Sequence, residues 1–121
     1  MTDRYDRYQE LKIDRPADRI LRITFDKPET YNSLDENGHR ELCEVWRDID
    51  GDPDTSAVIL TGAGKAFSSG GDFGMIERNI EDYKARCNAW KEARDLVYNV
   101  INCSKPIVSA MNGVAVGAGL V

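Results

Sequence analysis

One short segment, residues 57–60, constrains the fold of this chain more than any other feature. Its sequence, Ala-Val-Ile-Leu, is apolar at every position, so a strand formed here would bury both of its faces. The segment follows a stretch in which Leu42, Val45, Trp46 and Ile49 repeat at helical spacing. A strand of this kind after an amphipathic helix is typical of a central strand in a parallel sheet, which predicts an α/β fold.

The neighbouring elements agree with this fold class. Alternating residues predict strands over 8–13 and 20–25, joined by a turn at 15–18, and Ser33 with Glu36 matches a capping box that begins a helix ending at 51–53. Helical spacing then continues over 76–101, and the apolar run 106–111 predicts another buried strand. The expected order is strand, strand, helix, strand, helix, strand, without repeats.

Composition narrows the class of protein. The chain has 121 residues with 41% hydrophobic and 31% charged residues, which indicates one globular domain, and its net charge of −5 argues against nucleic-acid binding. Cys43, Cys87 and Cys103 are widely spaced and odd in number, so we expect buried free thiols rather than disulfides or a metal site. Neither a secretory signal nor a membrane-spanning run is recognisable, which predicts a cytoplasmic protein without membrane contact.

Two glycine-rich stretches, 62–72 and 112–119, each follow a predicted strand. Glycines there let a ligand approach backbone N–H groups closely, and N–H groups that open a helix favour negative charge. Two such turns brought together can form an oxyanion hole. Neither stretch completes a dinucleotide or phosphate-loop motif, and on spacing alone tight structural turns are the favoured interpretation, with an oxyanion site as the alternative.

Three separated motifs resemble one family. They are Lys27-Pro28 with Asn32-Ser33-Leu34, the stretch 64–72 (GKAFSSGGD), and the stretch 105–119 (KPIVSAMNGVAVGAG). In this order and spacing they resemble the crotonase superfamily, the enoyl-CoA hydratase/isomerase family, from about Tyr8 onward. The resemblance implies an α/β crotonase-like spiral of stacked ββα units and an enzyme whose substrate is an acyl-CoA thioester, without a separate cofactor or metal.

The resemblance also implies site residues. The backbone N–H groups of Gly71 and Ala118 would polarise the thioester carbonyl, and main-chain groups of Ser69 and Phe73 would contact adenine. Asp72 is a further substrate-binding candidate, although capping of the following turn is its favoured role.

The segment 27–34 resembles the family's CoA-binding edge, with Lys27 and Ser33 as candidate contacts. Glu29, Thr30 and Tyr31 occupy positions where the family often has a basic residue. Lys27 is therefore the nearest cation for phosphate, with solvated surface as its alternative role.

One position departs from the family pattern. Family hydratases carry a glutamate two residues after the Gly-x-Gly, where this chain has Val121, which cannot transfer a proton. The leading hypothesis is an enoyl-CoA hydratase or isomerase that stabilises a thioester enolate. The alternative is a non-catalytic truncated chain, or a CoA-binding or oligomerising relative without the acid/base carboxylates.

The apolar, uncharged ending at 113–121 is unusual for a domain terminus. We expect residues 1–121 to be the N-terminal part of a crotonase-like domain, with the C-terminal part and the second carboxylate beyond the sequence, and a homotrimer or hexamer at full length.

The remaining conspicuous side chains have structural interpretations. His39 is expected at the surface or semi-buried, Ser68 and Ser69 are turn hydroxyls without a His/Asp partner set, and Trp46 and Trp90 are expected in the core.

Overall fold

A computed structural model describes residues 3–121 of the protein. The strands are β1 (Leu11–Ala17), β2 (Ile20–Phe25), β3 (Ala57–Gly62), β4 (Ala66–Ser68), β5 (Ile107–Ala110) and β6 (Val114–Ala115). The helices are α1 (Glu36–Asp50), α2 (Phe73–Glu81) and α3 (Tyr83–Asn102), with short 3-10 turns at Pro28–Thr30 and Gly117–Gly119. The predicted α/β class is confirmed.

The main sheet has the strand order β1-β2-β3-β5. β1 runs antiparallel to β2, whereas β2 and β5 both pair in parallel with β3, and Val58 of β3 is fully buried. The predicted central parallel strand is therefore confirmed. A second sheet, formed by β4 and β6, was not predicted from the sequence because both strands are very short.

The core lies between α1 and the main sheet. The predicted apolar stripe of α1 is buried there and consists of Leu42, Val45, Trp46 and Ile49. It packs against alternate residues of β2, namely Leu21, Ile23 and Phe25. Phe67 of β4 joins the same cluster, with its ring edge-on to Phe25 at 5.4 Å between centroids. The short second sheet is thus anchored to the main core.

The predicted start of α1 is wrong by two residues. Asp35 is the N-cap, and its carboxylate accepts the N–H of Gly38 at 2.8 Å, while the Ser33 hydroxyl donates to Thr30 Oγ1 at 3.0 Å. The helix cannot begin at Ser33 because Leu34 is extended and forms a parallel bridge with Gly71.

The first strand lies later in the chain than predicted. β1 includes Pro16, which a strand tolerates at a sheet edge, and the register is irregular between Asp14 and Ala17. The turn is consequently at residues 18–19, where Arg19 has a φ of 62°. Tyr8 lies outside the strand, and its hydroxyl donates to Asp48 of α1 at 2.5 Å.

The single long helix predicted over 76–101 is two helices. Asp82 separates them. Its N–H donates to Arg78 O at 2.9 Å at the end of α2, and its carboxylate accepts the N–H of Lys84 at 2.9 Å and so caps the start of α3. The apolar stripe of α3 is exposed, contrary to the prediction, and Trp90 is 71% exposed. The half-buried face of α3 carries smaller and polar side chains such as Ala89 and Asn99 instead.

Other burial predictions also need correction. The strand predicted at 106–111 is β5, but it is largely exposed at the sheet edge. Of the three free cysteines only Cys43 is buried, while Cys87 is exposed. Within residues 3–121, no helix combines the length and apolar character needed to cross a membrane.

Candidate oxyanion site

The two glycine-rich turns lie side by side at the ends of β4 and β6. These strands pair in parallel, and the N–H of Val116 donates to Ser68 O at 3.0 Å, so the chain leaves both strands in the same direction. Gly70 and Gly117 have φ values of 92° and 61°. A Cβ on either one would lie 3.8 Å from the other's Cα, so the turns approach at backbone distance and favour glycine at both positions.

In the first turn, one N–H is left open. The other donors from Ser69 to Asp72 have partners: Ser69 N–H to Tyr31 O at 2.9 Å, Gly70 N–H to Ser68 Oγ at 3.2 Å and Asp72 N–H to Leu34 O at 2.9 Å. No acceptor among residues 3–121 takes the N–H of Gly71. The turn therefore presents a single free donor.

The second turn also has open donors. The N–H of Gly119 donates to Val116 O at 3.2 Å and that of Leu120 to Gly117 O at 3.0 Å, whereas in the described part of the chain the N–H groups of Gly117 and Ala118 have no acceptor. A Cβ on Gly119 would lie 2.4 Å from Ser68 Cβ. Glycine at 119 thus permits the close packing of this turn on β4.

The start of α2 directly follows the first turn. Asp72 is its N-cap, and Asp72 Oδ1 accepts the N–H of Met75 at 2.7 Å, which confirms the expected capping role. The positive end of α2 lies within two residues of Gly71 and favours negative charge there.

Carboxylates near this turn are held by partners. A groove of about 280 Å³ between the starts of α1 and α2 is lined by Asp35, Glu36 and Asp72. Glu36 pairs with Arg78 at 2.6 Å and Asp35 with Lys27 at 3.2 Å. Burial raises the pKa of Asp35, but the Gly38 N–H and the Lys27 ammonium outweigh it and hold this pKa below its usual value. These ion pairs offset the negative charge of Asp35 and Glu36 near the open donors.

Lys27 and Ser33 lie on the neighbouring loop. The Lys27 ammonium contacts both Glu10 and Asp35, and the hydrogen bond with Glu10 is the main cause that raises its pKa. Ser33 bonds within its own loop. The Lys27 ammonium is therefore ion-paired with two carboxylates in this structure and is not an unpaired cation.

The other candidate residues surround the first turn. The Ser69 hydroxyl donates to Thr30 O at 3.1 Å, consistent with a turn hydroxyl, and it ties the turn to the loop that carries Lys27. Phe73 is 82% exposed at the start of α2. The structure therefore brings Ser69, Gly71, Asp72 and Phe73 together beside Ala118.

Two buried residues outside this group, His39 and Asn32, have environments that the sequence did not predict. His39 is buried, not at the surface, and its Nδ1 lies 3.0 Å from Glu92 Oε1, which links α1 to α3. Asn32 belongs to the motif Asn32-Ser33-Leu34, and its role is visible only in the structure. It is buried with a φ of 58°, and asparagine in such a motif is the signal that points to a fixed left-handed turn.

The turns, their order and the parallel strands before them correspond to a known family. The enoyl-CoA hydratase/isomerase family matches residues 15–121. The chain belongs to this family. The expected family membership is thus confirmed over most of the chain.

Family relatives share both sequence and fold with the chain. It is 36% identical over 107 residues to (E)-benzylidenesuccinyl-CoA hydratase of Thauera aromatica, covering 86% of this chain and 40% of the relative. It is 32% identical over 124 aligned residues to the mitochondrial Delta(3,5)-Delta(2,4)-dienoyl-CoA isomerase of Rattus norvegicus, covering 93% and 37%.

A solved enoyl-CoA hydratase/isomerase from Mycobacterium paratuberculosis superimposes with a TM-score of 0.89 at 36% identity, covering 95% of this chain and 46% of that structure. The crotonase-like fold is confirmed by this match. The chain spans between 29% and 41% of the length of the curated relatives that it matches.

Proposed function

We propose that this member of the enoyl-CoA hydratase/isomerase family binds an acyl-CoA thioester with its carbonyl oxygen between the N–H groups of Gly71 and Ala118. The observation that carries the proposal is that these N–H groups are unpaired on adjacent turns after β4 and β6. An enolate formed at the thioester concentrates negative charge on that oxygen. Preorganised backbone donors stabilise such charge without reorganising during the reaction.

The rest of the CoA molecule would extend over the first turn and its neighbouring loop. The main chain of Ser69 and Phe73 would contact adenine, with Asp72 primarily holding the turn between them. Lys27 and Ser33 would face the phosphates. Lys27 would reach a phosphate by exchanging one of its carboxylate partners, so its contribution to affinity is expected to be small.

The reaction type depends on where the proton-transfer group lies. The side chain of Val121 neither donates nor accepts a proton. We infer that a carboxylate at another position of the protein moves protons at the stabilised enolate, which favours isomerisation over hydration by a carboxylate pair. The alternative function, CoA binding without catalysis, rests on the same valine.

The cellular setting is part of the proposal. We propose a cytoplasmic enzyme of fatty acid metabolism that works as a homotrimer or hexamer, uses acyl-CoA as its substrate without a separate cofactor, and does not bind nucleic acid. The support is the family membership, the net charge of −5 and the free thiols.

The test is a pair of substitutions at Gly71 in the natural gene product that carries this sequence. Gly71→Pro removes the N–H. Gly71→Ala keeps it and adds a Cβ whose one close contact is with the flexible end of Met75 at 2.6 Å, with Ile76 Cγ1 at an ordinary 4.0 Å. With short 2-enoyl-CoA and 3-enoyl-CoA substrates, Gly71→Pro should lower kcat by about 10² to 10³, the effect of one lost oxyanion donor. Gly71→Ala should lose much less.

Circular dichroism would establish that both variants fold. Equal turnover by the folded Gly71→Pro and unsubstituted proteins would refute the oxyanion assignment. Binding of acyl-CoA by the unsubstituted protein with no turnover of either substrate would instead support the non-catalytic alternative.

A further inference from the structure

Asn32 is the most completely hydrogen-bonded buried side chain beside the candidate site. It is 1% exposed, and its Nδ2 donates to Ala63 O at 2.9 Å and Ala66 O at 2.8 Å, with Phe67 O further away at 3.3 Å. Its Oδ1 accepts the N–H of Lys27 at 2.9 Å. The amide nitrogen therefore joins the loop after β2 to the β3–β4 connection and to β4, while the amide oxygen fixes the loop to its own start at Lys27.

The segment that Asn32 holds is the one that organises the first turn. Its backbone makes four contacts to that turn: Tyr31 O with Ser69 N–H, Asn32 O with the Ser68 hydroxyl, Leu34 N–H with Gly70 O and Leu34 O with Asp72 N–H. These contacts occupy the groups on both sides of Gly71. Gly71 N–H stays open because its neighbours are bound to residues 31–34.

The same amide connects to the second turn. Ala66 O also accepts Asn112 Nδ2 at 3.1 Å, and Asn112 Oδ1 accepts the N–H of Gly62 at 3.1 Å. Asn112 lies just before β6, which leads to Ala118. The Ala66 carbonyl is therefore shared by Asn32, from the segment that contacts the first turn, and Asn112, from the segment that leads to the second turn.

The space around the Asn32 amide leaves no room for adjustment. A Cβ on Gly62 would lie 2.5 Å from Phe67 O and 2.9 Å from Asn32 Nδ2. The amide is thus enclosed by backbone, and loss of its donors would remove the hydrogen bond to Ala63 O and one of the two side-chain hydrogen bonds to Ala66 O.

We infer that Asn32 is a positioning residue for the oxyanion site. It holds segment 31–34 against the β3–β4 connection so that Gly71 N–H alone, of the donors from Ser69 to Asp72, points to the substrate oxygen. This inference rests on the proposed function. A displacement of the donor by about 1 Å costs roughly a hundredfold in rate, so the effect on catalysis should be large.

The test replaces the amide in the natural gene product. Asn32→Asp keeps the size of the side chain and its tolerance of positive φ, but it places a carboxylate oxygen against the carbonyls of Ala63 and Ala66. Asn32→Gly also accepts the φ and removes the amide without repulsion, which provides a second variant if the first does not fold. Asn88→Asp, on the exposed surface of α3, is the control for the same change of charge.

We expect kcat for the enoyl-CoA substrate to fall about a hundredfold in Asn32→Asp, with KM within about threefold, because the hydrogen bond from Gly71 N–H to the thioester oxygen is much stronger in the transition state than in the bound substrate. Asn32→Gly should fall in the same direction, and Asn88→Asp should retain full kcat. Rates are taken per folded molecule, well below the unfolding temperature, so that a merely structural role leaves kcat unchanged.

A double-mutant cycle gives the decisive result. If Asn32 acts through Gly71 N–H, Asn32→Asp should lower kcat much less in the Gly71→Pro background than in the unsubstituted protein. Folded Asn32 variants with unchanged kcat, or effects that multiply fully in the cycle, would overturn the positioning role. If Gly71→Pro itself leaves kcat unchanged, the proposed function fails instead.

Discussion

The two halves of the molecule use apolar residues differently. Residues 3–70 contain every buried side chain of the described structure, whereas no residue from Gly71 to Val121 is buried. The two tryptophans illustrate the contrast, since Trp46 is 2% exposed in the core and Trp90 is 71% exposed on α3. Apolar spacing in the sequence identified both helices, but only one of them forms a core.

The difference bears on the candidate site, which lies where the halves meet. Gly71 is the first residue after the buried half, and its turn forms backbone hydrogen bonds with Tyr31 and Leu34. Ala118 lies in the half without a core and is connected to the first half through the pairing of β6 with β4. The half with the core therefore holds the Gly71 turn directly and the Ala118 turn through β4, and substitutions in each half should have different consequences.

The largest expected effect compares the tryptophans directly. Trp46→Ala should lower the free energy of unfolding by about 3–5 kcal/mol, because it leaves a cavity in the core. Measured in the isolated 121-residue chain, Trp90→Ala should change it by less than about 0.5 kcal/mol, as expected for an exposed site. Urea denaturation followed by circular dichroism measures both. Equal losses for the two variants would contradict the division into a core half and an exposed half.

A buried ionic cluster in the first half provides the next effect. Asp52 Oδ2 accepts from the Tyr5 hydroxyl at 2.7 Å, Thr55 Oγ1 at 2.8 Å and Arg15 at 2.9 Å. Burial raises the pKa of Asp52, but these hydrogen bonds and one from Asp54 N–H outweigh it and hold the pKa far below its usual value. Asp52→Asn should lower the free energy of unfolding by about 2–3 kcal/mol at pH 7.

The sign of the pH dependence follows from this lowered pKa. The stabilisation by Asp52 is fully present above the unfolded-state pKa of about 3.9 and is lost as the pH falls through the lower folded-state value. The difference between the unsubstituted protein and Asp52→Asn should therefore shrink as the pH is lowered below about 4. Asp54→Asn, at an exposed position in the same loop, is the control and should differ little. A constant difference down to pH 2 would show that the Asp52 charge does not contribute.

The smallest effect compares the two helix caps. Asp35→Ala and Asp72→Ala each remove a carboxylate that caps a helix, worth about 1 kcal/mol. Because α1 packs in the core, loss of its cap should lower the free energy of global unfolding. Because α2 has no buried residue, loss of its cap should instead increase amide exchange within α2 alone. Asp72→Asn should preserve the cap. If Asp72→Ala lowered the free energy of global unfolding, α2 would unfold together with the core and the expectation would be wrong.

Local patterns predicted the elements whose environment is encoded nearby. The apolar run of β3, the stripe of α1 and the cap at Asp72 depend on residues within a few positions of one another, and all three are confirmed. The three motifs were likewise sufficient to identify the family. The proposed donors, Gly71 and Ala118, were named from those motifs, and the structure adds that their N–H groups are open on adjacent turns.

The tertiary structure decided what depends on partners far along the chain. The bridge between Leu34 and Gly71 moved the start of α1 from Ser33 to Asp35, and the packing of α3 through its smaller residues left Trp90 exposed. The sequence by itself determined the family, the order of the main elements and the candidate donors, because these follow from local composition and spacing. Only the long-range hydrogen bonds of the folded chain decided which N–H groups remain free. They also decided that Asn32 holds the segment whose backbone bonds to the neighbours of Gly71.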